Sequence, residues 1–310
     1  MTFHSRYLSL CLLFLFSTIG CVEEDPLPPL QPNPTTKPKP EEPDPPFEGA
    51  LGAEFESVGD DRGPYDLPRK VRHRATGLVL ILVPQGRYTM GTPDSEHGRD
   101  SDEVQRPGRV RRPFYLAETE VTVEQWKQLM GEDDLSPEEK QNAQLPKSGV
   151  SWKRASEFLA KMNEKYEEGW RLPTEMEWEF ACRAGTTTPF STGEDIGTDQ
   201  ANYDGRRPYR GRKKGLHREG PVAVRSFPPN PWGFYDMHGN LWEWCSDLYV
   251  SHPEEGKVAR DEPGEPRVMR GGAFTSRGKQ LRSGYRDGYP PANSTGQKYG
   301  FRIAKTIPKK

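Results

Sequence analysis

The segment from Gly233 to Trp244 reads GFYDMHGNLWEW and joins a glycine turn to two acidic residues and two tryptophans. Asp236 and Glu243 lie seven residues apart, on either side of Gly239. Hard cations such as calcium bind carboxylate and carbonyl oxygens in loops of this kind. An acidic turn whose oxygens accept hydrogen bonds would have the same spacing, so both interpretations stay open. The tryptophans are bulky and largely apolar, which predicts that they anchor a folded core.

Further motifs lie before and after this segment. Residues 170–180 read WRLPTEMEWEF, 227–230 read FPPN, 267–272 read RVMRGG and 299–302 read YGFR. In this order and spacing the motifs resemble the formylglycine-generating enzyme family, also called sulfatase-modifying-factor domains, over about residues 76–305. The resemblance implies a compact α+β fold related to C-type lectins, with little regular secondary structure. The 31 glycines and 31 prolines agree with a fold rich in loops.

Calcium is the cofactor that the resemblance implies. Its four matching positions here are the side chains of Asp236 and Glu243 and the carbonyls of Gly239 and Leu241. A second family calcium site would begin at Asn202, but its later acidic ligand should fall within residues 210–220. Glu219 is the one acid in that stretch, and basic residues surround it, so we do not expect this second site.

The copper centre of the family is missing from the sequence. Family members that make formylglycine bind Cu(I) through two cysteines that follow the Gly-Gly pair, because Cu(I) prefers soft thiolates. The matching positions here are Ser276 and Leu281. A leucine cannot ligate a metal and a serine hydroxyl is a poor substitute for a thiolate. Copper and the formylglycine-forming reaction are therefore not expected.

Two functions remain open. The first is a binding or assembly module that keeps the family scaffold without the oxidase. The second is a divergent oxidoreductase with iron or an unrecognised copper site, acting on an exported protein or a small thiol. An iron site would want two histidines and a carboxylate; the sequence offers no close histidine pair, and His238 is expected to be a surface or loop residue. The pocket candidates, which could also be ordinary polar loop residues, are Ser276, Arg277, Tyr285 and Arg286.

The N-terminal part of the chain predicts export and a membrane anchor. Residues 1–21 contain an apolar run of about ten residues, too short to span a bilayer and typical of a signal segment. Small residues precede Cys21, which resembles a bacterial lipoprotein cleavage site; an ordinary cleaved signal is the alternative. Val22 after the lipidated cysteine would favour the outer membrane. Residues 22–49 form a proline-rich, disordered tether, and 50–310 one domain.

Charge and cysteine content limit the partners. The 44 basic and 46 acidic residues nearly balance, so nothing argues for nucleic acid. The expected partners are the membrane, through a lipid at Cys21, and an unidentified envelope protein or polymer. The basic segment 205–218 is either a solvated loop or a patch for anionic envelope partners. Cys182 and Cys245 could form a disulfide in an oxidising compartment or remain two buried thiols.

Local patterns predict several elements. A strand begins at Leu78, residues 86–91 are its expected hairpin partner, and the charged stretch 95–112 is expected to be a surface loop. Arg171 and Arg302 should tie loops together in buried bidentate ion pairs. Helices are expected after three N-cap residues, Thr122, Ser151 and Thr174.

Overall fold

The computed structural model describes residues 47–133, 135–251, 264–292 and 296–308. The predicted signal segment, Cys21 and the tether up to residue 46 lie outside the described residues. Within the described ranges, no helix is both long and apolar enough to cross a membrane.

Twelve strands are present in the described part of the chain. In chain order they are β1 (Phe55–Ser57), β2 (Lys70–His73), β3 (Val79–Val83), β4 (Gly86–Met90), β5 (Arg106–Val110), β6 (Phe114–Ala117), β7 (Trp170–Arg171), β8 (Trp242–Leu248), β9 (Arg267–Arg270), β10 (Asp287–Tyr289), β11 (Tyr299–Gly300) and β12 (Ala304–Thr306).

The largest sheet has the order β1-β2-β3-β6-β12-β7, and all neighbouring strands in it are antiparallel. Its first two strands come from residues 50–75, a polar stretch in which the sequence pattern predicts no element. Its fifth strand, β12, is the last of the chain and fits between β6 and β7. All six strands of the sheet can therefore pair only when both the N-terminal and the C-terminal part of the domain have folded.

Two smaller sheets complete the strand inventory. One has the order β10-β9-β8-β11, with β8 and β11 parallel. The other is the ribbon β4-β5, which corrects two predictions. Strand β4 does not pair with β3, because β2 and β6 already occupy both edges of β3. The charged stretch 95–112 is not a loop throughout, since Arg106–Val110 forms the partner strand of β4.

The helices are α1 (Val123–Met130), α2 (Pro137–Gln141), α3 (Trp152–Lys165) and α4 (Glu175–Arg183). Three of these four begin at the predicted caps, whereas α2, which is capped by Ser136, is not predicted from the sequence. Thr122 and Thr174 form capping boxes with Gln125 and Glu177, and the Ser151 side chain accepts from the backbone N–H of Arg154. Each cap satisfies N–H groups that the first helical turn leaves without a partner.

Helix α3 buries one apolar face, and α4 lies at the centre of the domain. The α3 residues Ala155, Phe158, Leu159 and Met162 are buried at the spacing of a single helical stripe. Helix α4 contacts both the β4-β5 ribbon and strands β8 and β9. The tryptophans that the sequence assigns to the core are all buried: Trp170, Trp178, Trp242 and Trp244.

The two ends of the domain meet. Phe47 packs against the main core and its ring contacts Tyr65 edge-on, with 5.6 Å between the ring centroids. A Cβ atom at Gly49 would lie 2.6 Å from the carbonyl oxygen of Pro308, so these backbones touch. The domain therefore includes residues 47–49, slightly before the predicted boundary at 50.

Candidate functional site

The acidic turn is held in a conformation that few residues adopt. Asp236 and Asn240 have φ values of 57° and 62°, and Gly239 has φ 98°. A Cβ at Gly239 would lie 2.4 Å from the Asn202 carbonyl oxygen, so only glycine fits here. The backbone N–H of Gly239 donates to the Gly271 carbonyl at 2.8 Å. These contacts fix the turn between the Asn202 segment and the Gly-Gly pair.

Glu243 is the partner of a buried arginine. Its two oxygens each lie 2.6 Å from the Arg302 guanidinium, in a bidentate pair, and Trp178 donates its indole N–H to the same carboxylate at 2.7 Å. All three residues are fully buried. The predicted pairing of Arg302 is thus present, and Arg171 makes a bidentate pair with Glu177. The sequence predicts separate roles for Glu243 and Arg302, whereas the structure joins them.

The buried carboxylate that the sequence analysis misses is Glu120. Asn240 donates to its Oε1 at 3.2 Å, and its Oε2 has no hydrogen-bond donor. Asp236 is similar: its Oδ2 accepts from the Arg225 N–H at 3.0 Å, and its Oδ1 has no donor. We call Glu120 and Asp236 the acid pair. In the sequence, Glu120 is distinguished only by its position between strand β6 and the N-cap residue Thr122.

Burial raises the pKa of both members of the acid pair. For Asp236, burial is the largest cause and the pKa rises to about 6. For Glu120, burial and the neighbouring charge of Asp236 raise the pKa well above its ordinary value. Arg302 opposes both shifts through its positive charge. The acid pair is therefore poised to take up either protons or a cation.

Asn202 belongs to the same centre. Its Nδ2 donates to Asn240 Oδ1 at 3.1 Å and to the Gly220 carbonyl at 2.9 Å, while its buried Oδ1 has no donor. Three buried oxygens without donors thus come from Glu120, Asp236 and Asn202. No group of three or more His, Cys, Asp or Glu side chains with metal-holding geometry occurs in the described ranges. A cation here would need amide and backbone oxygens, a donor set that fits calcium.

Ser276 and Leu281, which the sequence resemblance matches to the copper cysteines, have structural roles. The Ser276 hydroxyl accepts from the Ala273 N–H at 2.9 Å, within its own turn. Leu281 is fully buried in an apolar cluster that contains Phe190, Tyr203 and Tyr209. Neither side chain can provide a soft ligand.

The four pocket candidates do not line one pocket. Tyr285 is buried in the main core beside Trp242. Arg286 is buried and forms a bidentate pair with Glu175, at 2.7 and 3.0 Å. Arg277 is exposed and lines a cleft of about 260 Å³. The candidates thus remain two sequence-adjacent pairs, Ser276 with Arg277 and Tyr285 with Arg286, whose side chains face different surroundings.

His238 lies in a loop, one of its two expected positions, but it is buried, so the surface alternative is wrong. Its Nδ1 lies 2.7 Å from the Leu281 carbonyl, and its Nε2 lies 3.0 Å from the Ser191 N–H nitrogen and 2.8 Å from the Ser191 hydroxyl. Burial lowers its pKa to about 4, so the ring is neutral at physiological pH and its Nδ1–H donates to Leu281. The ring thereby joins two loops.

The two cysteines of the domain are free thiols, so the disulfide that the sequence left open is not formed. Both side chains are fully buried within one apolar cluster. Burial raises the pKa of Cys182 to about 12 and that of Cys245 well above its ordinary value. Neutral, inaccessible thiols are poor nucleophiles and poor metal ligands.

A comparison with known families agrees with these motifs. Residues 66–307 match the family described as the sulfatase-modifying factor enzyme 1-like domain. The chain belongs to this family. The α+β fold of the formylglycine-generating enzyme type, expected from the sequence, is confirmed, and the family match extends beyond the predicted core of 76–305 at both ends.

The names of similar proteins refer to different activities. The serine/threonine-protein kinase pkn1 of Chlamydia pneumoniae is 36% identical over 174 residues, 53% of this chain but 25% of the kinase. The formylglycine-generating enzyme of Bos taurus is 28% identical, covering 63% of this chain and 65% of the enzyme. The bovine inactive Cα-formylglycine-generating enzyme 2 is also 28% identical, covering 58% of this chain and 74% of that protein.

Among solved structures, PvdO from Pseudomonas aeruginosa superposes with a TM-score of 0.64 at 28% identity. The match covers 75% of this chain and 95% of PvdO. The sulfatase-modifying-factor domain described here therefore accounts for nearly all of that structure, while it spans only a quarter of the chlamydial kinase.

Proposed function

We propose that this sulfatase-modifying-factor domain is a binding or assembly module that does not form formylglycine. The observation that supports this most strongly is the segment after Gly272. The resemblance matches Ser276 and Leu281 to the two copper cysteines; Ser276 accepts a hydrogen bond within its own turn, and Leu281 packs in an apolar cluster. The other thiols of the domain, Cys182 and Cys245, are buried and protonated. A bovine relative that is itself named inactive supports the idea that the scaffold persists without the reaction.

An oxygen-consumption measurement tests this proposal. The purified chain is mixed with Cu(I) and a cysteine-containing peptide, beside a family enzyme that keeps both cysteines. We expect no peptide-dependent oxygen uptake by this chain, because no thiolate pair is available to hold the metal. Turnover with copper, or with iron added instead, would reverse the conclusion. It would then favour the second candidate, a divergent oxidoreductase for an exported protein or a small thiol.

We also propose that the domain is exported and held at the membrane by a lipid on Cys21. The signal-like segment, the small residues before Cys21 and the proline-rich stretch up to residue 49 support this arrangement. Several acyl chains on one cysteine give stable anchoring. Val22 favours the outer membrane of a two-membrane cell.

Metabolic labelling with a fatty-acid analogue tests the anchor. We expect label in the natural protein and in C11S, but none in C21S, because only Cys21 follows the small-residue cleavage motif. Cys11 is a matched control, since it lies within the apolar run of the same segment. Equal labelling of C21S and the natural protein would show that the anchor, if any, is elsewhere.

Calcium is the cofactor that we propose for the folded domain. The acid pair and the Asn202 amide would supply the side-chain oxygens, with the carbonyls of Gly239 and Leu241 as further ligands. Glu243, which the resemblance implies as a ligand, is instead paired with Arg302. Its role would be structural, because it would neutralise buried carboxylates that otherwise repel each other.

A further inference from the structure

Three loops build a cationic cleft at the surface next to the segment that replaces the copper site. Its volume is about 260 Å³. The basic side chains that line it, counting histidine, are His97, Arg207, Arg210, Arg277 and Lys279. No acidic side chain lines the cleft.

The cleft is built into the packing of the domain. The Gly278 backbone lies so close to Tyr209 that a Cβ at Gly278 would be 2.4 Å from the Tyr209 nitrogen. The Gly278 N–H donates to the Arg207 carbonyl at 3.0 Å, and the Tyr209 hydroxyl donates to the His97 carbonyl at 2.8 Å. Arg210 has φ 51°, a left-handed conformation that is uncommon for arginine. Such a conformation persists only where its surroundings hold it.

Part of the positive charge is balanced within the protein. Arg207 pairs with Asp204, Arg210 with Glu194, and Lys279 with Asp100. The Arg277 side chain is exposed and has no carboxylate partner among the residues that the structure describes.

The cationic surface continues from the cleft along the exposed loop 205–218. This loop contains seven Arg and Lys residues and no acid. Two further arginines of the loop pair with acids outside it, Arg206 with Asp204 and Arg212 with Asp195. Lys213 and Lys214 are exposed, and no described carboxylate forms an ion pair with either. Unneutralised charge thus extends beyond the size of a single small ion. The chain as a whole carries a net charge of −2, so this surface is a local feature.

We propose that the cleft and the loop bind an acidic polysaccharide, with the cleft holding one carboxylate or sulfate group of the polymer. This inference rests on the proposed binding function and names the class of its partner. Arginine guanidinium groups bind carboxylate and sulfate oxygens through paired hydrogen bonds. Exposed apolar side chains, which anchor most peptide partners, do not line the cleft: Tyr209 is buried and Pro208 half-buried. The loop exposes one large apolar side chain, Leu216, among its seven cationic ones.

Binding of defined polymers to the full-length, detergent-solubilised chain tests the inference. Polygalacturonate presents carboxylates, dextran sulfate presents sulfates, and unmodified dextran is the uncharged control. We expect one or both charged polymers to bind, with affinity falling as salt rises, and dextran not to bind. The stronger of the two identifies the anion that the cleft accepts.

Charge-reversal variants locate the surface. We expect R277E and K213E/K214E each to weaken binding by about tenfold or more. The matched control is R111E/R112E, which reverses two exposed arginines that line a different cleft; we expect less than a twofold change. Thermal unfolding of each variant establishes that it is folded.

Three results would overturn the inference: equal binding by R277E and the natural protein, an equal loss in R111E/R112E, or equally tight binding of duplex DNA. These results leave the proposed binding function intact, because that function fails only if the oxygen-consumption experiment shows turnover. Turnover accompanied by polymer binding would instead assign the cleft to substrate recognition.

Discussion

Replacing Arg302 with leucine is expected to destabilise the domain by about 3–5 kcal/mol, because it leaves the fully buried Glu243 carboxylate without its counter-charge. The same guanidinium also donates to the carbonyls of Ala117, Glu118 and Tyr235, at 2.9–3.3 Å. The substitution would therefore release the end of β6 and the acidic turn together. We expect the unfolding midpoint to fall by about 10 °C or more.

Two further variants serve as controls for the R302L measurement. Arg62 is exposed and lies 4.0 Å from Asp66, so R62L should change the unfolding free energy by less than about 0.5 kcal/mol. The double variant E243L/R302L removes both charges and should recover much of the loss. If R302L proves as stable as R62L, the pair is not the anchor that its geometry indicates.

Calcium binding is expected to stabilise the folded domain. In the absence of calcium, lowering the pH is expected to stabilise it instead. The folded-state pKa of Asp236 is raised to about 6, so folding takes up a proton. The stability that comes from this group is present at low pH and is lost as pH rises from about 4 through 6. At pH 7.5 calcium at about 100 times its Kd should add about 2.7 kcal/mol. At pH 5 the gain should be smaller, because protons compete for the same oxygens.

The variant D236N separates calcium binding from general salt effects. At pH 7.5 in a chelator it should be more stable than the natural protein, since it removes a buried charge, and it should lose the calcium response. D60N, at an exposed aspartate, should keep that response. Magnesium should give little stabilisation, because it keeps its waters and demands a stricter geometry. A calcium shift that survives in D236N would place the ion elsewhere.

Local features of the fold could be predicted from the sequence, and long-range pairings could not. The caps at Thr122, Ser151 and Thr174 involve residues three positions apart, so short patterns reveal them. The partner of β4 lies about twenty residues further on, in a stretch whose arginines and proline resemble a surface loop. Strands β1 and β2 are short and largely polar, and they are defined by pairing: β1 with β2 at the sheet edge, and β2 with β3 as well.

At the site too, residues within the turn could be predicted from the sequence, and residues that join it from distant parts of the chain could not. Asp236 and Gly239 are predictable because the turn itself requires them. Glu120 joins that turn from more than a hundred residues earlier, and Arg302 reaches Glu243 from 59 positions later. Nothing in a local pattern distinguishes a glutamate that faces a buried arginine from one that faces a cation. The difference depends on which distant side chain lies beside the glutamate in the folded chain. A local sequence pattern does not contain that information.

The contact between Gly49 and Pro308 gives the folded unit a single point of attachment. Chain that enters at residue 47 and chain that leaves at residue 308 do so side by side, so the rest of the surface is free of covalent connections. A domain with this property can be spliced into a longer polypeptide with little cost to either partner. The alignment with a chlamydial kinase four times the length of the shared segment fits that modular use. A fusion partner added after residue 308 would accordingly begin close to residue 49.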